Sequence, residues 1–227
     1  MVKSYSESST SVRQRIFLWT VAVLMFFGTI GSFAMIVVAN ENNQRQQSRV
    51  NELTAAYRVE YQKYEAEVEA QNKALSDKYF DSLDKYSSRV GAFNKGGVDK
   101  LVKEDLKVGN GEEITESSTF AAYYIGWNPD GEVFDQSING NSLKAPFTVY
   151  PGGVIQGWSE GTVGMKVGGV RELTIPSELA YGEAGSGDNI QPNTPLKFVI
   201  MIIPTPEKIE APAMPDELLR YYQTGSL

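Results

Sequence analysis

The feature that most restricts how this chain can fold is an uncharged, mostly apolar stretch at residues 16–39. As an α-helix this stretch rises roughly 36 Å, more than the ~30 Å hydrocarbon core of a lipid bilayer. Three basic residues precede it and the polar run NENN follows it, which predicts a cytoplasmic N-terminus and an exported remainder. A cleaved signal peptide is the alternative, although its apolar region is usually only ~7–15 residues long. We therefore interpret residues 16–39 as an uncleaved transmembrane helix of the cell membrane, after a disordered, Ser-rich cytoplasmic tail at residues 1–15.

Residues 41–90 contain neither proline nor glycine and are rich in good helix formers, which predicts a long helical stalk. Apolar and tyrosine side chains recur along it about every 3.6 residues, the spacing of a nearly straight helical stripe rather than of a strict coiled-coil heptad. The stripe consists of Val50, Leu53, Tyr57, Tyr61, Tyr64, Val68, Leu75, Tyr79, Leu83, Tyr86 and Val90. Two interpretations stay open: the stalk is a solvated spacer of up to ~75 Å, or its stripe binds a partner or a second copy of the chain. Glycines at 91, 96 and 97 are expected to end the stalk, which gives the segments 1–15, 16–39, 40–96, 97–204 and 205–227.

The chain has no cysteine and no histidine, and this removes many kinds of active site. Disulfides, thiol nucleophiles, His-ligated zinc and Ser-His-Asp triads all need one of these residues. The formal net charge of -7 argues against nucleic acid, which binds basic surfaces. No metal site and no cofactor are expected, and any catalysis has to work without a strong general base.

Residues 97–204 show the alternation and turn residues of a small antiparallel α+β domain. Strands are predicted at 101–107, 120–127, 133–137, 147–150, 171–175 and 196–203, and a short helix is predicted around Trp158. The last strand is apolar on both faces towards its end, so we expect it in the centre of the sheet. The sequence NPDG at 128–131 is typical of a tight hairpin turn. A long loop rich in Gly, Asp, Asn and Pro follows Tyr181, and loops of this kind are often functional.

Four segments carry a resemblance to one known family: YYIGWNPDGEVFDQS, VIQGWSEG, MKVGGVRELTIPSELAYG and TPLKFVIMII. In this order and spacing they resemble the signatures of FKBP-type peptidyl-prolyl cis-trans isomerases across residues 101–204. The resemblance implies an FKBP-like fold, in which a twisted antiparallel sheet wraps around a short helix with the substrate pocket between them. It also implies isomerase (rotamase) activity in protein folding, on proline-containing polypeptides.

The resemblance also assigns residues to that pocket. The expected catalytic residues are Tyr124, Asp135 and Tyr181, and the expected substrate-binding residues are Phe134, Phe147, Val154, Ile155, Trp158, Ile190 and Phe198. Trp158, Phe147 and Phe198 are expected to hold the proline ring, between walls formed by Tyr124 and Phe134. Tyr181 and the backbone of Ile155 are expected to hydrogen-bond substrate carbonyls. Asp135 is expected to orient Tyr124 or the carbonyl environment rather than to transfer a proton.

An aromatic pocket of this kind suits prolyl isomerisation. The barrier of ~18–20 kcal/mol comes from amide resonance, and no bond has to break. The twisted amide is less polar than the planar one, so an apolar site that excludes water favours the twisted form. The missing histidine is therefore no obstacle to this reaction.

The sequence departs from the family pattern at the rim and the lid of the expected pocket. Gly153 stands where an acidic residue is often found, Ser186 stands where the loop often carries histidine, and Asn189 replaces an apolar loop residue. The polar loop at 138–145 is longer than usual and has no counterpart of the family's arginine. These changes affect the expected substrate preference and inhibitor affinity more than the aromatic floor.

Residues 205–227 are Pro-rich and then amphipathic, which predicts a short helix that begins at Asp216. The leading hypothesis is a membrane-anchored prolyl isomerase that assists the folding of exported or envelope proteins. The alternative is a non-catalytic proline-binding scaffold or chaperone module of the cell envelope. The expected partners are thus proline-containing polypeptides and the membrane, with a homo-oligomer through the stalk as a further interpretation.

Overall fold

The structure is a computed structural model that describes the backbone of residues 12–225, with side chains described from residue 24 onward except for residues 27 and 28. Most of the predicted disordered tail therefore lies outside the described residues. Contacts divide the chain into two compact units. The first contains Met1–Gln62 and Ala211–Leu227, and the second contains Lys63–Glu210.

One uninterrupted helix, α1, runs from Val12 to Asp84 and includes both the predicted transmembrane stretch and most of the predicted stalk. The range contains no proline, so the backbone hydrogen-bond ladder continues without a break. Side chains described in the apolar stretch are exposed, for example Leu24 at 67% and Phe33 at 70%. In the described chain, α1 is long and apolar enough to cross a membrane.

The end of α1 lies at Asp84, earlier than the predicted end at residue 90. A 3-10 turn at Lys85–Arg89 follows it. Ser87 Oγ donates to Asp84 Oδ1 at 3.1 Å, and Ser88 Oγ donates to the Lys85 carbonyl at 3.1 Å. Serine hydroxyls that bond to nearby groups compete with the helical ladder, which explains why the helix ends before the glycines.

The second unit is built on antiparallel strands. Their bounds are β1 (Val102–Lys107), β2 (Phe120–Trp127), β3 (Val133–Gln136), β4 (Ile138–Asn139), β5 (Ser142–Leu143), β6 (Phe147–Val149), β7 (Val170–Ile175) and β8 (Leu196–Ile203). The main sheet has the order β1-β7-β8-β2-β3, and β6 pairs with the first half of β2. The short strands β4 and β5 pair with each other within the predicted polar loop. The predicted antiparallel α+β architecture is confirmed, with β8 in the interior of the sheet between β7 and β2.

Strand β2 is buried on both faces because alternate residues enter two separate cores. Phe120 and Ala122 belong to the inner core, which also contains Trp158. Tyr123 and Trp127 belong to the outer core and are 0% exposed. The sheet is therefore covered by other elements on each side.

Helix α2 (Gln156–Thr162) covers the inner face and lies unusually close to β7. A Cβ atom at Gly157 would lie 2.3 Å from Ile175 Cγ2, and one at Gly161 would lie 2.4 Å from Leu173 Cδ1. Residues four apart share a helix face, so these two glycines leave one face of α2 bare and let its backbone approach the strand. This close approach fixes Trp158 against the sheet, where the side chain is 4% exposed.

The last turns of α1 cover the outer face. Leu83 is fully buried among the outer-core residues, and the Tyr79 ring centroid lies 6.1 Å from that of Tyr123. The buried Ser76 Oγ accepts a hydrogen bond from the Leu143 backbone N–H at 2.8 Å. This part of the predicted stalk is therefore neither a solvated spacer nor a free association surface, because it packs into the core of the second unit.

Ion pairs fix the 3-10 turn to the sheet. The Glu172 side chain, 5% exposed, accepts hydrogen bonds from Arg89 Nε and, at 2.9 Å, from Lys197 Nζ. Arg89 Nη2 also donates to the more exposed Glu104 at 2.7 Å. The hydrogen bond to Glu172 raises the pKa of Arg89. These contacts join the end of the stalk to β1, β7 and β8.

In the first unit, helix α3 (Asp216–Thr224) begins at the predicted residue and lies beside α1. Arg49 Nε donates to Glu217 Oε2 at 3.0 Å, and the hydrogen bonds from Arg49 lower the pKa of Glu217. Val50 and Leu218, the neighbours of this ion pair, are 5% and 1% exposed. The beginning of the stalk stripe is thus also buried within its own chain.

Candidate functional site

A cavity of about 510 Å³ opens between α2 and the inner face of the sheet. Strands β2, β3, β6 and β8 supply its aromatic walls, and the segment before α2 supplies part of its rim. Its lining residues are Tyr124, Phe134, Asp135, Phe147, Gly152, Gly153, Val154, Ile155, Trp158, Tyr181 and Phe198. An apolar concavity with a few convergent polar groups is the usual form of a ligand site.

Aromatic rings in edge-to-face contact form the floor and walls of this cavity. The Trp158 ring centroid lies 5.3 Å from those of Tyr124 and Phe198 and 6.1 Å from that of Phe147, with interplanar angles of 84–88°. Phe134 meets Phe198 edge-on at 5.5 Å. Such pairs are stabilised by ring electrostatics beyond simple burial. Trp158 and Phe198 are 4% exposed whereas Phe147 is 41% exposed, so the cage has a fixed floor and an open edge.

A glycine on β2 makes room for two of these rings. A Cβ atom at Gly126 would lie 2.6 Å from Phe198 Cε1 and 2.9 Å from Phe134 Cζ. Both distances are shorter than carbon atoms tolerate without displacement. Gly126 therefore determines how closely the rings approach the strand, a role that sequence reasoning missed because a glycine inside a strand carries no chemistry of its own.

A tyrosine–carboxylate pair forms the polar edge of the cavity. The Tyr124 hydroxyl donates a hydrogen bond to Asp135 Oδ2, and Lys144 Nζ lies 3.7 Å from Asp135 Oδ1. Burial and, after it, the hydrogen bond to Asp135 raise the pKa of Tyr124. The phenol therefore stays protonated at neutral pH, with its proton directed at the carboxylate.

Ser137 connects the strand that carries Tyr124 to the loop that carries Lys144. The Tyr124 backbone N–H donates to Ser137 Oγ at 3.0 Å, and the Ser137 N–H donates to the Tyr124 carbonyl at 2.8 Å. The Lys144 N–H donates to the Ser137 carbonyl at 2.8 Å. Because Ser137 is 3% exposed, these bonds lie out of water and hold the polar edge in register.

The rim of the cavity comes from two turns. Tyr181 follows the 3-10 turn Ser177–Leu179 and is 38% exposed at the cavity mouth. The Gly182 N–H donates to the Ser177 carbonyl at 2.8 Å and closes this turn. On the other side, Ile155 is half-buried and its carbonyl accepts from the Trp158 N–H at 3.0 Å, which begins α2.

Comparisons with known proteins agree with this geometry. A family profile described as FKBP-type peptidyl-prolyl cis-trans isomerase matches residues 110–203. An FK506-binding protein of Neisseria meningitidis serogroup A is 41% identical over 105 residues, which are 45% of this chain and 94% of that protein. The chain belongs to the family of FKBP-type peptidyl-prolyl cis-trans isomerases.

Further relatives match about half of the chain. FK506-binding protein 4 of Dictyostelium discoideum is 42% identical over 105 residues, 45% of this chain and 28% of that protein. A crystal structure of a peptidyl-prolyl cis-trans isomerase from Pseudomonas syringae pv. tomato has 30% sequence identity, covers 56% of this chain and 92% of its own, and gives a TM-score of 0.42. The FKBP-like fold predicted from the sequence is confirmed, and the family match at 110–203 leaves out α1 and α3.

The structure brings together nearly all residues that the FKBP resemblance assigned to the pocket. Every one of them except Ile190 lines the cavity. Ile190 is 5% exposed and belongs to the inner core cluster together with Trp158 and Phe198. Ile190 packs within this core, and direct substrate contact by Ile190 stays a prediction.

Of the departures from the FKBP pattern, Gly153 lines the cavity, whereas Ser186 and Asn189 are not among its lining residues. Gly153 is on the rim, together with Gly152, which sequence reasoning did not assign. Ser186 exchanges backbone hydrogen bonds with Ile190 at 2.8 and 3.2 Å, and so closes the loop after Tyr181. The polar loop lacks the family's arginine, but Lys144 places a positive charge near Asp135. Because the loop is longer than in the family pattern, comparison of this sequence with that pattern, residue by residue, did not identify Lys144.

Proposed function

We propose that this protein isomerises Xaa-Pro peptide bonds by enclosing the proline ring in the aromatic cavity. The observation that carries the proposal is the cage around Trp158, with one polar edge formed by Tyr124 and Asp135. The cage offers an apolar surface to the ring, and its edge leaves room for the amide. The catalytic and binding roles below rest on this geometry and on the family resemblance.

The chemistry requires selection of a conformation rather than bond cleavage. A planar amide is polarised by resonance, and the twisted form loses that polarisation. Surrounding the amide with rings in place of water therefore costs the planar form more than the twisted form. The uncatalysed reaction takes tens of seconds, so even a few kcal/mol of selective stabilisation gives a large acceleration.

Each residue of the cavity has a proposed role. Trp158, Phe147 and Phe198 bind the proline ring, and Tyr124 and Phe134 form the walls. Tyr181 at the open mouth and the backbone of Ile155 hydrogen-bond substrate carbonyls, while Val154 contacts the flanking chain. Asp135 accepts the hydrogen bond from the Tyr124 hydroxyl and thereby fixes the phenol ring. Lys144 is 55% exposed, so we assign it a small electrostatic contribution to the position of Asp135.

A protease-coupled assay with short Xaa-Pro peptides tests the assignment on residues 41–227. We expect a preference for an apolar residue before proline, because Phe147 and Val154 line the open side of the cavity. Trp158→Ala is expected to raise KM, and Asp135→Ala is expected to lower kcat with the circular dichroism spectrum unchanged. Asp99→Ala, an exposed carboxylate outside the cavity, is the matched control. Isomerisation rates equal to those of the wild-type protein in both cavity variants would contradict the assignment of this cavity as the active site.

We further propose that α1 anchors the protein in the cell membrane with its N-terminus in the cytoplasm, so that the isomerase acts on exported polypeptides. The proposal is supported by the apolar stretch of α1 and by the basic residues before it. Protease added to spheroplasts is expected to cleave the C-terminal part of the chain. Protection of that part until the membrane is broken would contradict the orientation.

A non-catalytic proline-binding scaffold is the second candidate, and the altered rim favours it. Gly153 on the rim has no side chain where the family often has an acidic residue, so fewer groups face the cavity. A scaffold binds prolyl peptides without accelerating isomerisation. The same coupled assay, combined with a binding titration, separates the two functions.

Self-association through the stalk also stays a prediction. Leu75, Tyr79 and Leu83 pack against the sheet of their own chain, which removes part of the stripe from any contact between copies. Light scattering of residues 41–227 tests the remainder. A dimer dissociated by changing Tyr57, Tyr61 and Tyr64 to serine would support association, whereas a monomer at high micromolar concentration would contradict it.

A further inference from the structure

Helix α3 has an apolar side that its own chain leaves exposed. Leu218 is 1% exposed, but Leu219 is 44% exposed and Tyr222 is 62% exposed. Tyr221 and Tyr222 form an edge-to-face pair with ring centroids 5.9 Å apart. The acidic residues of α3 are confined to its first turn. The helix is therefore polar where it begins and aromatic towards its end.

The contacts of α3 give its position along α1. Pro212 and Pro215 line the same concavity as Ala56 and Glu60, whereas Glu217 bonds to Arg49 further towards the N-terminus of α1. The segment before α3 therefore runs back along α1 towards the apolar stretch. Of the residues between 41 and 49, Gln46 is the one that is not fully exposed, and it lies one turn before the buried Val50. This indicates that α3 continues in the same direction beyond Arg49.

The rise of an α-helix converts these positions into heights above the membrane. Arg49 lies ten residues after the apolar stretch ends at residue 39, which corresponds to ~15 Å along α1. Tyr222 lies five residues beyond Glu217, or ~7 Å further back along the same direction. Tyr222 is thus placed ~8 Å from the edge of the hydrocarbon core. The headgroup layer on each side of a bilayer is itself ~5–8 Å thick, so Tyr222 lies at the outer boundary of this layer, whereas Leu219 lies ~12 Å from the hydrocarbon core.

We propose that Tyr222, on the exposed side of α3, contacts the lipid headgroup layer beside α1, as a second membrane contact of this protein. The proposal rests on the anchoring of α1 proposed above. Tyrosine is enriched at membrane–water interfaces because its ring is amphipathic. An apolar contact of this type does not depend on anionic lipids. The acidic residues of α3 lie in its first turn, at the end away from the membrane, and so do not oppose the contact.

The absence of cysteine from the chain allows a direct depth measurement. Single-cysteine variants of the full chain carry a nitroxide spin label in phosphatidylcholine vesicles, and collision rates with oxygen and with a water-soluble nickel complex are recorded. Tyr222→Cys and Leu219→Cys report on α3. Phe33→Cys, 70% exposed within the apolar stretch, is the lipid reference, and Glu67→Cys, ~42 Å along α1 from residue 39, is the aqueous reference.

The label at 222 is expected to show an oxygen-to-nickel collision ratio between those of the two references, and the label at 219, ~4–5 Å further from the membrane, is expected to show a ratio closer to that at 67. Ratios at both positions equal to the ratio at 67, with a lipid-like ratio at 33, would overturn the α3 contact and leave the anchor in place. An aqueous ratio at position 33 would contradict the anchor itself and, with it, the contact of α3.

Discussion

Replacing Leu83 by alanine tests whether the end of α1 belongs to the core of the second unit. Leu83 is 0% exposed against the outer face of the sheet. A fully buried leucine loses ~2–5 kcal/mol on truncation to alanine, because transfer free energy is lost and a cavity remains. We expect a decrease of about 3 kcal/mol in the free energy of unfolding, which lowers Tm by roughly 6–12 °C for a unit of this size.

Urea titration of residues 41–227, followed by tryptophan fluorescence, measures this change because Trp127 lies in the same outer core. The control is Val59→Ala on the same helix, 51% exposed, for which less than about 0.5 kcal/mol is expected. Isomerase activity of the folded variant should be unchanged, since Leu83 and the cavity lie on opposite faces of the sheet. A midpoint shift no larger than that of Val59→Ala would refute the assignment of α1 to this core.

Other predictions follow from the same contacts. Gly126→Ala should lower kcat/KM in the coupled assay while the protein stays folded, because the new methyl group displaces two rings of the cage. Glu172→Ala should destabilise by roughly 1.5–3 kcal/mol in urea titrations, since the hydrogen bonds of a buried carboxylate to Arg89 and Lys197 are lost, whereas Glu104→Ala, at a 56% exposed side chain, should cost at most ~1 kcal/mol. Burial raises the pKa of Tyr123 to about 12 in the folded protein. As the pH rises, the Tyr123 hydroxyl therefore loses its proton in the unfolded protein before it does so in the folded protein. The contribution of Tyr123 to stability should therefore be constant up to about pH 10 and be lost between pH 10 and 12, and Tyr123→Phe should reduce the fall in stability over that range.

Much of the fold and cavity could be predicted because period-2 patterns and turn residues act locally. Strands β2 and β8 were predicted with the bounds that the structure shows, and the turn at 128–131 closes with a 3.0 Å bond from Gly131 N to the Asn128 carbonyl. The aromatic residues of the cage were assigned by resemblance, and they line one cavity.

The position of the stalk end on the sheet was not predicted, although the sequence contained a signal for it. A strand that is apolar on both faces, as β8 is, needs cover on both faces, and α2 supplies cover for one. The apolar stripe around Leu83 covers the other face of the sheet. A helical repeat of apolar residues shows that one face of the helix is apolar, but it does not show what covers that face. The sequence therefore left two interpretations of the stalk, a solvated spacer or an association surface.

The polar edge of the cavity was predicted only in part. Asp135 and Tyr124 were assigned, and their hydrogen bond follows from the pairing of β2 with β3. Ser137 and Lys144 were missed because their positions depend on the backbone bonds and the small β4–β5 hairpin of a loop with an unusual length. Tertiary geometry of this kind leaves no periodic pattern in the sequence.

The most direct test of the central claim is exchange NMR of an Xaa-Pro peptide mixed with a small molar fraction of residues 41–227. This measurement records binding and cis–trans exchange on the same peptide. We predict exchange cross-peaks between the cis and trans signals with the wild-type protein, and much weaker cross-peaks with Trp158→Ala at the same concentration. Peptide signals that shift or broaden on addition of the wild-type protein without any exchange cross-peaks would contradict catalysis and identify the cavity as a proline-binding scaffold.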